Sequence, residues 1–156
     1  LAENEVRLLR SRLAAANLLD STIHAVWVML ATCCRIGELT SATRAAIDLR
    51  EGTWTLPDTK NGKPHTIYLS EFAKSHLQAL LALSNDPVQL FPSHRVDGAV
   101  TPKSITKQFY DRQRGKAKTN GTRLTDALTL PGGNWTPHDL RRTSATFMGE
   151  LACVRT

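Results

Sequence analysis

Cysteine is scarce in this chain of 156 residues: three in all, two of them adjacent at Cys33 and Cys34. So few make no disulfide framework, and no zinc-ligand spacing appears, so a reduced, intracellular setting is expected. No apolar run approaches the roughly 20 residues a membrane helix needs, and no secretory or transit leader is present. Repeats and low-complexity tracts are absent as well. Acidic residues are in deficit, fourteen Asp and Glu against twenty Lys and Arg, for a formal net charge of +6. No group of carboxylates is suited to Mg²⁺, and no cofactor is implied. The cationic surplus favours polyanionic partners, nucleic acid first. What remains is 41% hydrophobic, enough for one ordinary core and one domain.

Helical periodicity of Val6, Leu8, Leu9, Leu13 and Ala16 among Glu and Arg predicts an amphipathic helix over residues 3–17. Ser21 can cap a second helix from Thr22 to Cys33, apolar nearly all round and therefore central. A short helix follows in Arg35-Ile36-Gly37-Glu38-Leu39-Thr40. An arginine beside so apolar a segment is expensive to bury unless an acid or an anion meets it.

Ala46–Leu49, Thr53–Leu56 and His65–Leu69 then read as three short antiparallel strands, with Asn61-Gly62 marking a hairpin flanked by Lys60 and Lys63. Pro64 puts the third strand at an edge or starts it afterwards. Ser70 caps a helix from Glu71 to Leu83, with Phe72, Leu77, Leu80 and Leu81 inward. Thr101-Pro102 opens another, to near Arg114. Lys103, Lys107, Arg112, Arg114, Lys116, Lys118 and Arg123 crowd that helix and its sequel. Residues 115–135, rich in Gly, Thr and Asn, read as a long mobile loop. The fold class is mainly α with a small three-stranded antiparallel sheet.

Thr136-Pro137 starts the last helix, with His138 in its first turn and Arg141 one turn on. Residues three apart share a face, so imidazole and guanidinium reach one point beside a positive helix N-terminus. Leu140, Ser144, Phe147, Met148 and Leu151 form a second stripe that anchors the helix. These residues alone fit an anion site or a solvated basic face equally well.

Taken together, three stretches resemble the catalytic domain of the tyrosine recombinases, the phage-integrase family. They are Cys34-Arg35-Ile36-Gly37-Glu38-Leu39, the Thr59-Lys60-Asn61-Gly62-Lys63 hairpin, and His138-Asp139-Leu140-Arg141-Arg142-Thr143. The resemblance implies that Arg35 and Arg141 grip the scissile phosphate, that Lys60 protonates the leaving 5′ oxygen, and that His138 is the acid/base histidine. Glu38 would orient an arginine. Lys63, Lys103, Lys107, Arg112, Arg114, Lys116, Lys118 and Arg142 would contact DNA. It further implies double-stranded DNA as partner, self-assembly on DNA as a tetramer in the full-length parent, no membrane, and a bacterial or phage-encoded cytoplasmic protein associated with the nucleoid. The chemistry agrees: phosphoryl transfer without a metal needs fixed positive charge on the non-bridging oxygens, which two guanidinium forks supply.

The departures are as informative. The family's tyrosine nucleophile and a second His or Trp follow the His-x-x-Arg box by some distance, whereas Tyr68 and Tyr110 precede it. Arg44-Ala45-Ala46 stands where a Trp is common. The chain also begins at Leu1 and lacks the family's N-terminal DNA-binding domain. A catalytic domain, residues 1–156, cut from a longer recombinase and incomplete at its C-terminus, is therefore expected, with an apolar patch near Leu151 and Val154 left by missing helices. A non-catalytic DNA-binding module of the same fold is the alternative, and a helical protein-interaction domain a remoter one.

Overall fold

A computed structural model describes residues 1–57, 63–93, 97–114 and 126–153, the last three by their backbone alone. Helices α1 (Glu3–Ala15), α2 (Asp20–Thr32) and α3 (Ile36–Thr40) come first, then a 3₁₀ turn (Arg44–Ala46) and strands β1 (Ile47–Asp48), β2 (Thr53–Leu56) and β3 (His65–Tyr68). Helices α4 (Glu71–Leu83), α5 (Pro102–Gln113) and α6 (Pro137–Cys153) complete the described elements. The sheet is antiparallel in the order β1-β2-β3, with Ile47 opposite Trp54 and Leu56 opposite His65. β3 begins directly after Pro64 and lies at an edge, where the lost N–H matters least. The Asn61-Gly62 turn lies outside the described residues.

α2 is the central rod. Its Ala25, Val26, Val28 and Met29 are wholly buried, and α4 and α6 pack on it. Leu140, also wholly buried, plugs α6 into this core, and the Ser144 hydroxyl donates to the Leu30 carbonyl. The helix starts are local chemistry: Ser70 Oγ accepts from Ala73 N at 3.2 Å, and Thr101 Oγ1 from Ser104 N at 3.3 Å.

Several expectations need correction. α2 begins at Asp20 behind Leu19, without a side-chain cap, rather than behind Ser21. Phe72 is 51% exposed, and Leu8 and Met148 also face outward. Only part of each apolar stripe meets a neighbour.

The second half of the segment taken for a mobile loop is core. Leu128, Leu130 and Trp135 are buried, and Trp135 packs against Phe109 in a tilted pair with ring centres 5.1 Å apart. Gln113 donates to Trp135 O and accepts from Trp135 N, both at 2.8 Å, and Trp135 Nε1 donates to Leu128 O. Glu5 binds this segment to α1 by accepting from Gly132 N at 2.6 Å; a Cβ at position 132 would meet that oxygen at 2.8 Å. Residues 115–125, with Lys116, Lys118 and Arg123, lie outside the described residues, as do Val154 and the side chain of Leu151.

Candidate active site

α2 ends on Cys33 in the left-handed conformation (φ +55°), its N–H returning to Met29 O at 3.1 Å. A left-handed residue at this point turns the chain sharply out of the helix. Cys34 goes into the core, where burial pushes its thiol up to about 12 and keeps it protonated. Arg35 stands outside as the N-cap of α3.

Glu38, at the third position of α3, reaches back to it. One carboxylate oxygen accepts from Arg35 N at 2.7 Å, and the other from Arg35 Nη1 at 2.6 Å. The first of these oxygens also lies 3.9 Å from Arg141 Nη1, on α6. Burial works against the Glu38 charge, but the backbone and side-chain hydrogen bonds from Arg35, with the charges of Arg35 and Arg141, prevail and hold its pKa below the ordinary value. One carboxylate therefore lies beside two guanidinium groups 106 residues apart in the chain (141 − 35).

Around this trio opens a cleft of about 360 Å³, lined also by Cys33, Cys34, Lys63, Pro64 and His65. Two arginines against one carboxylate leave it a cationic anion receptor. Among the described residues, no group of three or more His, Cys, Asp or Glu side chains is placed to hold a metal.

α6 begins beside the cleft's arginine. Thr136 Oγ1 donates to Asp139 Oδ2 at 2.7 Å, and Thr136 N donates to the same oxygen at 2.9 Å. The hydroxyl bond first, against burial, and then the backbone bond lower the Asp139 pKa. This reciprocal cap fixes the helix start. His138 is exposed in that first turn, three residues before Arg141, near the positive end of the helix. It is not among the residues lining the cleft.

The remaining sequence candidates divide. Lys60 lies outside the described residues; Lys63 is exposed at the cleft. Lys103 and Lys107 are exposed on α5, Lys107 pairing with Asp111 at 2.9 Å, while Arg114 lies over the Tyr110 ring at 4.2 Å. Arg142 is exposed on α6.

Arg112 is withdrawn from the DNA-facing set. It is buried, donating to Ala16 O at 2.7 Å, Asn17 O at 2.6 Å and Gln108 O at 3.3 Å, and so caps the C-terminal end of α1. His65 is a cleft residue that the sequence alone would give a core or surface role, because a lone imidazole on a strand has no sequence partner to betray it.

A helical core with a three-stranded antiparallel sheet, opening on a paired-arginine cleft, is the catalytic-core fold of the tyrosine recombinases. The fold of XerA recombinase matches with a TM-score of 0.69 at 23% identity, over 95% of this chain and 48% of that one. The Tn1549 transposon integrase, solved in complex with circular intermediate DNA, gives 0.74 at 17% identity over 97% and 54%. A lambda integrase dimer bound to a COC′ core site gives 0.67 at 19% identity over 93% and 48%. The chain thus spans about half the length of these proteins. Sequence comparison with curated proteins finds no match. The profile of the phage integrase family matches residues 1–151, and the chain belongs to that family.

Proposed function

We propose that this chain is the phosphate-gripping part of a site-specific DNA recombinase that cleaves and rejoins strands through a 3′-phosphotyrosyl link. The observation that carries the reading is that Arg35 and Arg141 line one cleft on either side of the Glu38 carboxylate, which Arg35 hydrogen-bonds and Arg141 approaches at 3.9 Å. Guanidinium groups pre-oriented in this way meet a phosphodiester without reorganising, and their charge counts most where the transition state gathers negative charge on the non-bridging oxygens. Glu38 offsets one of the two charges, so further cations are needed for a dianionic transition state. Lys60 and His138 fill that need, Lys60 protonating the leaving 5′ oxygen and His138 exchanging a proton at the phosphate.

The nucleophile is a tyrosine outside residues 1–156. Tyr68, 82% exposed on β3, and Tyr110, stacked under Arg114, do not line the cleft. In the complete enzyme the tyrosine oxygen bonds to phosphorus as the P–O5′ bond breaks. The 5′ hydroxyl of another duplex reverses the step, so the phosphodiester energy is conserved. Lys63, Lys103, Lys107, Arg114 and Arg142, with Lys116 and Lys118, contact flanking phosphates of double-stranded DNA.

Two assays test this. Duplex DNA binding by Arg35→Ala and Arg141→Ala should weaken by roughly tenfold or more each, since a charge-assisted contact contributes about 1.5–3 kcal/mol. Wild-type affinity in both variants would refute the cleft as the phosphate site. A nicked suicide substrate should give no covalent adduct with this chain; a tyrosyl-DNA product mapped to Tyr68 or Tyr110 would refute the assignment of the nucleophile.

A further inference from the structure

We propose that His65, which lines the same cleft as Arg35 and Arg141, is a further phosphate-contacting residue of this cleft, one whose contribution to DNA binding is set by its protonation. The inference rests on the phosphate-binding reading above and adds a residue to it.

Residues 65 and 67 of β3 point to the same face of the sheet, and Thr66 and Tyr68 to the other. Ile67 on that face is buried against the helical core, and Leu56, opposite His65 in the ladder, is buried too. An apolar residue at position 65 would suit a face of this kind. Yet His65 is exposed, because beneath its end of the strand the core gives way to the cleft that it lines with Arg35, Glu38 and Arg141. Its ring has no hydrogen-bond partner among the described residues, so its N–H is available to a ligand.

The surroundings specify that ligand. Lining the cleft with His65 are Arg35 and Glu38 at the start of α3, Arg141 from α6, Lys63 beside the strand, and Cys33 and Cys34 at the end of α2. Of these, Glu38 is already taken up by the arginines. An imidazole beside two arginines and one engaged carboxylate is poor company for another cation and good company for an anion. A phosphodiester in the cleft supplies the missing negative charge, and it binds a protonated imidazole more tightly than a neutral one.

Anisotropy titrations of a labelled duplex settle the matter, using wild type, His65→Gln, His65→Arg and Arg141→Ala at pH 6 and 8.5, each from 50 to 200 mM salt. At pH 6 the wild-type plot of log affinity against log salt should be steeper than that of His65→Gln by up to about 0.9, one phosphate contact, with binding some three- to tenfold tighter. At pH 8.5 the two should coincide, while His65→Arg keeps the steep slope at both values. His138 is present in every variant and cancels. A merely structural histidine moves stability and leaves the slope alone. Equal slopes for wild type and His65→Gln at pH 6, with Arg141→Ala weakened, would overturn the role of His65 and leave the cleft intact. Full affinity in Arg141→Ala would overturn both.

Discussion

Replacing Glu38 by Ala tests how the arginine pair is held. The carboxylate is 13% exposed and accepts two hydrogen bonds from Arg35, one from the backbone and one from the side chain, at 2.7 and 2.6 Å. The backbone bond closes the first turn of α3, a cap whose loss costs about 0.5–2 kcal/mol. The guanidinium bond is worth less, about 0.2–1 kcal/mol, because the Arg35 side chain is 48% exposed and water screens it. The 3.9 Å approach of Arg141 is too long for a hydrogen bond and adds only a weak Coulomb contribution. The sum is about 1–3 kcal/mol, or roughly 2–12 °C in Tm for a chain of this size.

Urea unfolding followed by circular dichroism measures the difference. The lowered Glu38 pKa sets its pH dependence. A carboxylate depressed in the folded state stabilises above its unfolded value of 4.5 and loses that contribution as pH falls through the folded value. The gap between wild type and Glu38→Ala should therefore be full at pH 7 and narrow below pH 4.5. A gap under about 0.5 kcal/mol at pH 7, or one that widens in acid, would refute the clamp.

Other perturbations have equally definite outcomes. Arg112→Ala should lose about 2–4 kcal/mol in urea unfolding, since a buried cation bonded to three carbonyls goes and those carbonyls are stranded. The same variant, if folded, should keep the wild-type salt slope for DNA; a flatter slope would return Arg112 to the DNA surface. Lys103→Ala should retain stability and reduce that slope by about 0.9, as loss of one phosphate contact requires. His24 and His76 face each other at 2.7 Å between Nδ1 atoms, and burial first, then their mutual repulsion at His76, lowers both pKa values against the opposing pull of Asp20 on His24. Depressed imidazole pKa values mean that the unfolded chain takes up protons first, so stability should fall as pH drops below about 6.5. His76→Gln should remove part of that slope in thermal melts from pH 7.5 to 5.5, and an unchanged profile would refute it.

How much of this was legible beforehand follows from where each residue finds its partner. Ser70, Thr101 and Thr136 announce helix starts because a cap bonds only three residues ahead. Arg35 and Glu38 were readable as a pair for the same reason. That Arg141 shares the pair's carboxylate follows from how α6 lies on α2, which local pattern does not express; the family resemblance suggested only that it joins Arg35 at one phosphate. Arg112 misled because a basic run looks the same whether its guanidinium meets water or, as here, the carbonyls of Ala16 and Asn17. Trp135 was hidden among Gly, Asn and Thr, and only Phe109 and Gln113 on α5 make it core. Phe72 and Met148 obey helical spacing, yet the neighbours of their helices do not cover them.

The central claim is that Arg35 and Arg141 hold one and the same phosphate. A double-mutant cycle on duplex affinity, comparing wild type, Arg35→Ala, Arg141→Ala and the double variant at fixed salt, measures this directly. Shared grip predicts a combined loss clearly smaller than the product of the single losses, because the first deletion already disorders the contact that the second would remove. Two losses that multiply independently, or none at all, would contradict it.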